Sequence, residues 1–377
     1  MAPGLYIGLI SGTSMDAVDA ALAEVRADEP FRVIAAQALA MPPALGARLR
    51  RLAHPDARAT PGEADAPDVL DELGELDRRV GELFAEAALA LLDSSGVAPA
   101  AVRAIGSHGQ TLRHRPRATA PFTLQVGDPN VIAARTGIAV VADFRRRDMA
   151  LGGEGAPLAP AFHQAVFARP GEYRAVLNLG GVANLTLLRP GTPVSGFDTG
   201  PANTLMDAWA RRHLGRDYDA DGAWAASGTP SEALLEVLLA HPFLALPPPK
   251  STGPEEFTLR WLERAIGAVG PLAPADVQAT LCEFTAASVA AAFGNDHPEC
   301  LLACGGGVHN RHLLARLATR LPGTRLESSA AHGVDPDQVE AAAFAWLAAR
   351  HVAGLPGNLP EVTGARAPAV LGGSWPA

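Results

Sequence analysis

The chain has 377 residues, a length that favours two domains and is ample for a large buried core. Its 40 acidic and 31 basic residues give a formal net charge of −9, so no domain-wide basic field exists to hold a nucleic-acid backbone. Hydrophobic residues make up 48%, yet the apolar runs fall short of the ~20 residues that cross a bilayer. The composition indicates a globular protein and argues against nucleic-acid and membrane partners.

The amino terminus and the cysteines bear on the cellular compartment. The apolar run 5–10 has no basic segment before it and no cleavage pattern after it, so we expect a mature cytoplasmic start. Cys282, Cys300 and Cys304 form neither an even disulfide framework nor a pair of Cys-x-x-Cys hooks. We therefore expect core thiols in a reducing compartment and no structural zinc. Lys250 is the only lysine in the chain, which makes it a candidate for a specific role.

The first half of the chain predicts a sheet with one long amphipathic helix. Apolar or alternating segments predict strands at 5–10, 17–25, 31–40, 122–126 and 138–142, and one that ends at Ile105 before a loop at 107–110. Apolar residues at helical spacing predict a helix over 68–94, and Pro129 opens another. Residues 43–67 read as irregular or helical surface.

The second half repeats the opening pattern of the first. The glycine-rich segment 151–157 is the best candidate for a domain boundary, because a helix starts near Pro160 after it. Further elements are then predicted as strands at 175–179, 184–188, 194–197 and 301–303, and as helices at 202–214, 231–240, 255–267, 276–293 and 309–320. A last helix has Asp335 as N-cap and Pro336 at its first position. Both halves thus open with strand, tight small-residue turn, strand, strand.

Three small-residue turns follow apolar strands, at 11–14, 180–181 and 305–307. The chain lacks the P-loop and the dinucleotide fingerprint, so these turns are the candidates for phosphate binding. Backbone amides in such turns approach phosphate oxygens closely because no Cβ intervenes. Each of the three segments by itself is explained as a simple turn. Together they suggest a nucleotide held between two lobes.

Several motifs in the same order carry a family resemblance. They are 8–16 (GLISGTSMD), 106–111 (GSHGQT), 142–145 (ADFR), 152–157 (GGEGAP), 178–184 (NLGGVAN), 197–201 (FDTGP), 248–253 (PPKSTG) and 335–341 (DPDQVEA). Over roughly residues 4–375 the chain resembles 1,6-anhydro-N-acetylmuramic acid kinases.

The resemblance implies an α/β fold of two ribonuclease-H-like lobes, the actin/hexokinase type, with the nucleotide in the inter-lobe cleft. Residues 1–150 would form the N-terminal lobe, with the C-terminal helix from about 335–377 packing back on it, and 151–334 the other lobe.

The resemblance also assigns nucleotide-binding residues. The first phosphate loop would be Gly12, Thr13, Ser14, Met15, Asp16, Ala17, Val18 and Asp19, the second Gly180, Gly181 and Asn184, and the adenosine-side turn Gly305, Gly306, Gly307 and Asn310. The sequence departs from the family pattern at Ala17 and Ala202, where glycine is expected, at Ala220, where lysine is usual, and at Pro254, where arginine is common. These departures concern loop geometry and fine substrate contacts.

Asp198 is the candidate catalytic base. It is predicted to end an apolar strand just before the turn 199–201, where a lone carboxylate at a cleft edge acts as a base. On the residues alone, a carboxylate capping the following helix explains it as well. The family resemblance favours catalysis.

The candidate sugar contacts are polar residues in the remaining motifs. They are Glu340, His108, Gln110, Asp143, Arg145 and Lys250, and Asp16 and Asp143 are also candidate outer-shell partners of Mg²⁺. The alternatives are a surface glutamate, a structural histidine, a solvated arginine face and a surface lysine. Arg145 would meet an anionic group on the sugar or on ATP.

The resemblance implies a cytoplasmic kinase, expected as a homodimer, that uses ATP and Mg²⁺. It would open 1,6-anhydro-N-acetylmuramic acid with water and phosphorylate O6 in cell-wall sugar recycling. Two alternatives stay open: another carbohydrate kinase of the same superfamily, and a non-enzymatic actin-like ATPase.

Overall fold

The computed structural model describes residues 1–26, 29–53, 68–253 and 256–377. Its contacts divide the chain into unit 1, Met1–Phe162 with Gln338–Ala377, and unit 2, His163–Asp337. Both boundaries therefore lie further along the chain than the expected positions at residues 150 and 334. The predicted surface at 54–67 and Pro254, one of the departures from the family pattern, lie outside the described residues.

The described residues form strands and helices that are numbered here in chain order. The strands are β1 (Gly4–Ser11), β2 (Ala17–Val25), β3 (Arg32–Ala40), β4 (Val102–Arg115), β5 (Phe122–Val126), β6 (Val140–Ala142), β7 (Arg174–Leu179), β8 (Val182–Leu188), β9 (Ser195–Pro201), β10 (Cys300–Cys304), β11 (Arg325–Ser328) and β12 (Gly373–Trp375). The helices are α1 (Pro43–Ala53), α2 (Val69–Ser95), α3 (Pro129–Thr136), α4 (Phe144–Ala150), α5 (Ala159–Phe167), α6 (Asn203–Leu214), α7 (Ala223–Ser227), α8 (Glu232–Leu239), α9 (Pro242–Ala245), α10 (Leu259–Val269), α11 (Pro274–Ala291), α12 (Arg311–Arg320), α13 (Val339–Val352) and α14 (Pro360–Thr363). No helix among these described residues is long and apolar enough to span a membrane.

The two units share one strand order. In unit 1 the order is β12-β6-β4-β1-β2-β3, with β5 paired to β4, and in unit 2 it is β11-β10-β7-β8-β9. In each unit the first three strands pair antiparallel. A fourth strand, β4 or β10, then pairs with the first in parallel, and a fifth, β6 or β11, pairs with the fourth in parallel. This is the ribonuclease-H-like order, so the predicted α/β fold class and its repetition in both halves are confirmed.

Two helices cover the sheet of unit 1. The side chain of Asp68 caps α2, accepting from Leu70 N at 2.8 Å, and the apolar face of the helix is buried in the unit's core. On α13, the backbone approaches the strands directly: a Cβ on Gly8 would lie 1.8 Å from Ala341 O, and one on Gly106 would lie 2.1 Å from Phe344 O. Glycine at these two strand positions is what allows the close helix packing.

The core of unit 2 is built between its sheet and α11. Almost every side chain of α11 is buried, and Leu281, Phe284 and Val289 pack in one cluster with Leu177 and Leu179 of β7. Because the middle of this helix is buried on every side, polar and apolar residues do not separate onto two faces, and its sequence shows little amphipathic pattern. The buried helix and the sheet together hold the ends of β7, β9 and β10 in place.

Two local predictions are wrong. Residues 107–110 are not a loop, because β4 continues through them and pairs with β5. Gly109 has φ +75°, and the pairing of β1 with β4 is irregular there, so the strand bends without ending. Asp198 does not end its strand but lies inside β9, opposite Asn184 of β8.

Candidate active site

In unit 1 the turn between β1 and β2 exposes hydroxyl groups. Thr13 and Ser14 are exposed, and the Ser14 hydroxyl donates to Asp16 Oδ1 at 2.6 Å. Met15 is buried with φ +54°, and its N–H donates to Gly12 O at 3.2 Å, which fixes the turn. A Cβ on Gly12 would meet nothing within 4 Å, so the space beside the turn is open.

The remaining residues of the expected first phosphate loop lie on β2. Ala17, Val18 and Asp19 pair with β3, and the Val18 side chain is buried in the core of unit 1. The turn proper is therefore residues 12–16. Any nucleotide contact of Val18 would have to be made by its backbone.

Next to this turn, three buried polar atoms have no hydrogen-bond partner among the described residues. They are Ser11 Oγ, Ser107 Oγ and Gln110 Oε1. Ser11 pairs with Gln110 and Leu9 with Ser107, so the three lie together at adjacent positions of β1 and β4. Buried polar groups in native proteins are normally satisfied, and such a cluster indicates a place where a ligand or water supplies the missing bonds. Ser11 lies in the predicted turn at 11–14 and Ser107 in the predicted loop at 107–110, but neither was predicted as a site residue, since only strand register brings them together.

His108, Arg145 and Glu340 form a charged group in the same unit. Arg145 Nε donates to His108 Nε2 at 2.9 Å, and Arg145 Nη1 donates to Gly155 O at 2.8 Å. Burial, with the charge of Arg145 added, holds the pKa of His108 well below its usual value, so the ring is neutral and accepts this bond. Burial lowers the pKa of Arg145 to about 10, and it remains a cation at neutral pH.

Glu340 stands on the first turn of α13, where its neighbours Val339 and Ala341 are buried and it alone is exposed. Surrounding protein atoms raise the pKa of its carboxyl, and the charge of Arg145 opposes that rise. Asp143 adds a second carboxyl with a pKa raised by burial, and its φ of +57° starts α4 in a left-handed conformation. An arginine, a neutral histidine and two carboxyls form a set suited to a ligand with an anionic group and hydroxyls.

Asp148 was not predicted, and it organises the glycine-rich segment before α5. Its fully buried carboxylate accepts from Asn358 Nδ2 and Thr363 Oγ1 at 2.7 Å each, and from Gly155 N at 2.8 Å. Gly155 in turn holds Arg145 through its carbonyl. Asp148 is thus a positioning residue for Arg145, and no sequence pattern marks it apart from its place before the glycines.

In unit 2 the carboxylate of Asp198 is held from one side. Its Oδ2 accepts from Ser251 Oγ at 3.0 Å and from Thr252 N at 2.9 Å. Among the described residues, no donor reaches Oδ1. Burial raises the pKa of Asp198, and the two hydrogen bonds and the charge of Lys250 oppose that rise. A partly desolvated carboxylate with one oxygen held and the other available is a candidate general base.

The Lys250 side chain bonds to backbone carbonyls, although the sequence predicts that it contacts the sugar. Its ammonium donates to Leu244 O at 2.9 Å and to Phe243 O at 3.3 Å, and it lies 4.9 Å from the centre of the Phe243 ring. Its own carbonyl accepts from Asp198 N at 3.0 Å. The geometry gives Lys250 the role of fixing the segment that holds the Asp198 carboxylate.

The two glycine turns of unit 2 lie at the ends of its central strands. Gly180 and Gly181 join β7 to β8, and their carbonyls accept the N–H groups of Asn203 and Ala202 at the start of α6. Gly305 follows β10 with φ +78°, and a Cβ there would lie 2.3 Å from Asn178 Oδ1. Only glycine fits that position.

Other predicted residues of unit 2 have local structural partners. Asn310 Oδ1 caps α12 by accepting from Leu313 N at 2.9 Å, so this oxygen already has a structural partner. Asn184 lies between Asn178 and Asp198 in a row across β7, β8 and β9. The structure therefore brings Asn184 beside the candidate base.

Two units of ribonuclease-H-like strand order, with glycine turns at strand ends and a half-buried carboxylate, indicate the class of the protein: an ATPase of the sugar-kinase type.

Comparison with known proteins identifies the family. The family described as anhydro-N-acetylmuramic acid kinase matches residues 4–377. Curated proteins of that name from Xanthomonas campestris pv. campestris (strain 8004) and Shewanella halifaxensis (strain HAW-EB4) are 54% and 51% identical, over 99% of this chain and 97% and 98% of their own lengths. The chain belongs to the anhydro-N-acetylmuramic acid kinase family. It is an ATP-using kinase of a small-molecule cell-wall sugar, as predicted.

Proposed function

We propose that Asp198 activates the water that opens the anhydro bridge of the sugar. The observation that carries this proposal is the asymmetry of its carboxylate: Oδ2 is held by Ser251 and Thr252, while no described residue donates to Oδ1. Burial raises the pKa of the group, which makes it a stronger base than an exposed aspartate.

The chemistry of the substrate requires such a base. In 1,6-anhydro-N-acetylmuramic acid, O6 is tied to C1 in an internal acetal, so no 6-hydroxyl is available for deprotonation. Water attacks C1 opposite the bridge and gives its proton to Asp198 Oδ1, while the C1–O6 bond breaks. O6 then takes the γ-phosphoryl group, and ADP leaves. The products are N-acetylmuramic acid 6-phosphate, ADP and the proton that Asp198 returns to solvent.

The charged group of unit 1 is suited to the sugar. The lactyl carboxylate of the substrate is an anion, and Arg145 is the half-buried cation of this group. His108, Gln110, Asp143 and Glu340 would bind sugar hydroxyl and amide groups, with the neutral ring of His108 and the free Gln110 Oε1 as polar contacts. Lys250 would act only through the segment that it holds.

The turns are suited to the nucleotide. The N–H groups and hydroxyls of residues 12–16 would bind phosphate oxygens, and so would the turns at 180–181 and 305–307. The exposed carboxylate of Asp16 and the half-buried carboxyl of Asp143 fit Mg²⁺ as ligands through water, because hard oxygen donors are what this ion takes. Bound with ATP, Mg²⁺ would neutralise charge on the phosphates.

We further propose a cytoplasmic homodimer. A family of peptidoglycan-sugar kinases works where ATP and recycled sugar meet, and the absence of disulfides among Cys282, Cys300 and Cys304 agrees with a reducing compartment. Light scattering of the purified chain tests the dimer: a single species of one chain's mass would exclude it.

The mechanism is tested by the path of oxygen. Turnover in ¹⁸O-labelled water must place the label on C1 of the product, read in a short quench before the free anomer exchanges. A reverse experiment with labelled bridge oxygen must find that label in the phosphate ester. Bridge label found at C1 would mean that the C6–O6 bond had broken, and it would overturn the proposed attack on C1. Phosphorylation with the bridge intact would show an ordinary sugar kinase instead. ATP hydrolysis without any sugar product would favour an actin-like ATPase.

A further inference from the structure

A thiol, a carboxylate and an imidazole come together at the edge of the unit 2 sheet. The ligand atoms of Cys300, Glu327 and His332 all lie within 4.8 Å of one another, and the residues that the structure describes contain no second group of this kind. His332 Nε2 and Glu327 Oε2 are 2.7 Å apart. Cys300 is buried, and the other two side chains are partly buried.

Regular backbone positions all three residues. Cys300 begins β10 and Glu327 lies on the parallel neighbour β11, where Cys300 pairs with Arg325 and Leu302 with Glu327. His332 ends the 3₁₀ turn Ser329–His332, which follows β11 directly and is capped by the Ser328 side chain. The ligand atoms are therefore held by strand pairing and a capped turn rather than by a free loop.

We propose that Cys300, Glu327 and His332 bind a zinc ion. Thiolate, imidazole and carboxylate are the three ligand types that zinc takes in proteins, and bonds of about 2.0–2.3 Å to a tetrahedral ion separate its ligand atoms by roughly 3.3–3.8 Å. The three ligand atoms lie within 4.8 Å of one another, which is close to these separations. The fourth position would be taken by water.

The charges at the site balance. Zinc binding releases the thiol proton of Cys300 to solvent and replaces the contact between His332 and Glu327, so one thiolate and one carboxylate neutralise the ion. Glu327 Oε2 contacts His332 Nε2, and Glu327 Oε1 lies 3.9 Å from Arg325 Nη1. Arg325 also pairs with Glu172, a carboxylate that it shares with Arg174, and it orients the Glu327 carboxylate from outside.

The bound ion would stabilise the edge of the unit 2 sheet. β11 is a four-residue edge strand, and the segment after His332 leads to Pro336, whose carbonyl accepts Gly305 N at 2.8 Å. Zinc would tie β11 and this segment to β10. The inference concerns stability and metal content, and it does not depend on the kinase mechanism.

Cobalt titration tests the site with a signal that only a thiolate ligand produces. Adding Co²⁺ to the reduced, metal-free chain should produce a near-ultraviolet sulfur-to-cobalt charge-transfer band that saturates at one ion per chain. Cys300→Ser should abolish the band. Cys282→Ser, which changes another buried cysteine outside the group, should keep it. Absence of the band in the unsubstituted chain, or its persistence in Cys300→Ser, would overturn the proposal.

Thermal unfolding gives a second readout. Zinc at saturating concentration should raise the unfolding temperature of the unsubstituted chain, because a ligand that binds the folded state stabilises it. His332→Gln and Glu327→Gln should lose most of that rise, with circular dichroism showing that both variants fold. An equal rise in all three proteins would place the zinc elsewhere and overturn the assignment.

Discussion

The two units use one strand order for different chemistry. In unit 1 the end of β1 and the middle of β4 carry buried polar atoms, and a charged group of His108, Arg145 and Glu340 lies in the same unit. In unit 2 the ends of β7 and β10 carry glycine turns, and its one candidate base, Asp198, lies on β9. The first unit offers side chains that recognise a polar ligand, and the second offers backbone and a base.

The difference shows what a repeated topology does and does not determine. Strand order places the carboxyl ends of the parallel strands of each sheet at one edge, whatever the residues there are. The residues then decide what that edge can bind, because a charged side chain selects a ligand while a glycine lets the backbone approach one. Substitutions in the charged group of unit 1 should therefore change sugar binding, those in the turns of either unit should change nucleotide binding, and those of Asp198 should change turnover.

The largest effect is expected from removing the base. Asp198→Asn keeps the shape of the side chain but deletes the proton acceptor, so kcat should fall by about 10²–10⁴-fold, the usual contribution of a general base. A coupled assay for ADP measures the rate, and calorimetry should show ATP binding retained. Asp217→Asn, at an exposed aspartate of the same unit, serves as control. Near-normal turnover by folded Asp198→Asn would exclude it as the base.

The next effect is on stability and lies in unit 1. Asp148→Ala leaves Asn358, Thr363 and Gly155 N without their buried acceptor, which should cost roughly 3–5 kcal/mol of unfolding free energy. Urea unfolding measures it, with exposed Asp93→Ala as the control. A loss below about 1 kcal/mol would mean that these donors find other partners.

Much of the fold could be predicted from the sequence, and the failures have physical causes. β2 matches its predicted span of 17–25, because its apolar residues alternate with small or polar ones in the sequence. The sequence wrongly predicts that β4 ends at Ile105, because a run of polar residues and glycine ends the apolar pattern there. The strand continues because β1 and β5 pair with it, and sequence patterning carries no information about such partners.

Prediction of the candidate site is limited in the same way, because sequence patterns do not show which residues meet in the fold. The sequence predicts the glycine turns and Asp198 as site residues because their residue types are unusual after an apolar strand. Ser11, Ser107 and Asp148 were missed, since a buried serine or aspartate looks like a surface one until its partners are known. Cys300, Glu327 and His332 were missed for a related reason: three separate positions meet only through the pairing of β10 and β11.

Arg145 tests whether unit 1 recognises the sugar. Arg145→Lys keeps the charge, but a single ammonium replaces the fork that contacts both His108 Nε2 and Gly155 O. We expect the KM for the sugar to rise about tenfold, the cost of one good charged contact, with the KM for ATP unchanged. Arg147, an exposed residue of the same helix, gives the matched control, Arg147→Lys. A rise confined to the KM for ATP would instead assign Arg145 to the nucleotide.

A pair of glycines tests whether unit 2 binds the nucleotide through its backbone. A Cβ on Gly306 would meet nothing within 4 Å, so Gly306→Val should fold and still raise the KM for ATP several-fold, about 1 kcal/mol, by filling space beside the turn. Gly305→Val, which forces φ +78° on a branched residue, should lose stability as well. If Gly306→Val raises both Michaelis constants equally, the turn is not specific for ATP.

The smallest effect concerns the pH at which Asp198 becomes active. The base works deprotonated, so kcat/KM falls as the pH drops through its pKa. Ser251 Oγ donates to Oδ2 at 3.0 Å and favours the charged form, so this bond lowers the pKa of Asp198. Ser251→Ala should therefore raise that pKa and shift the acidic limb of the profile to higher pH.

Well above the limb, the loss of one exposed hydrogen bond should change kcat/KM by no more than about twofold, because Thr252 N still holds the same oxygen. The measurement is the full pH profile of kcat/KM, with Ser227→Ala, a serine of the same unit that bonds only Trp224 O among the described residues, as control. The shift must appear in Ser251→Ala alone. A shift to lower pH would contradict the proposed role. It would mean that the Ser251 hydroxyl stabilises the protonated carboxyl of Asp198 rather than the carboxylate.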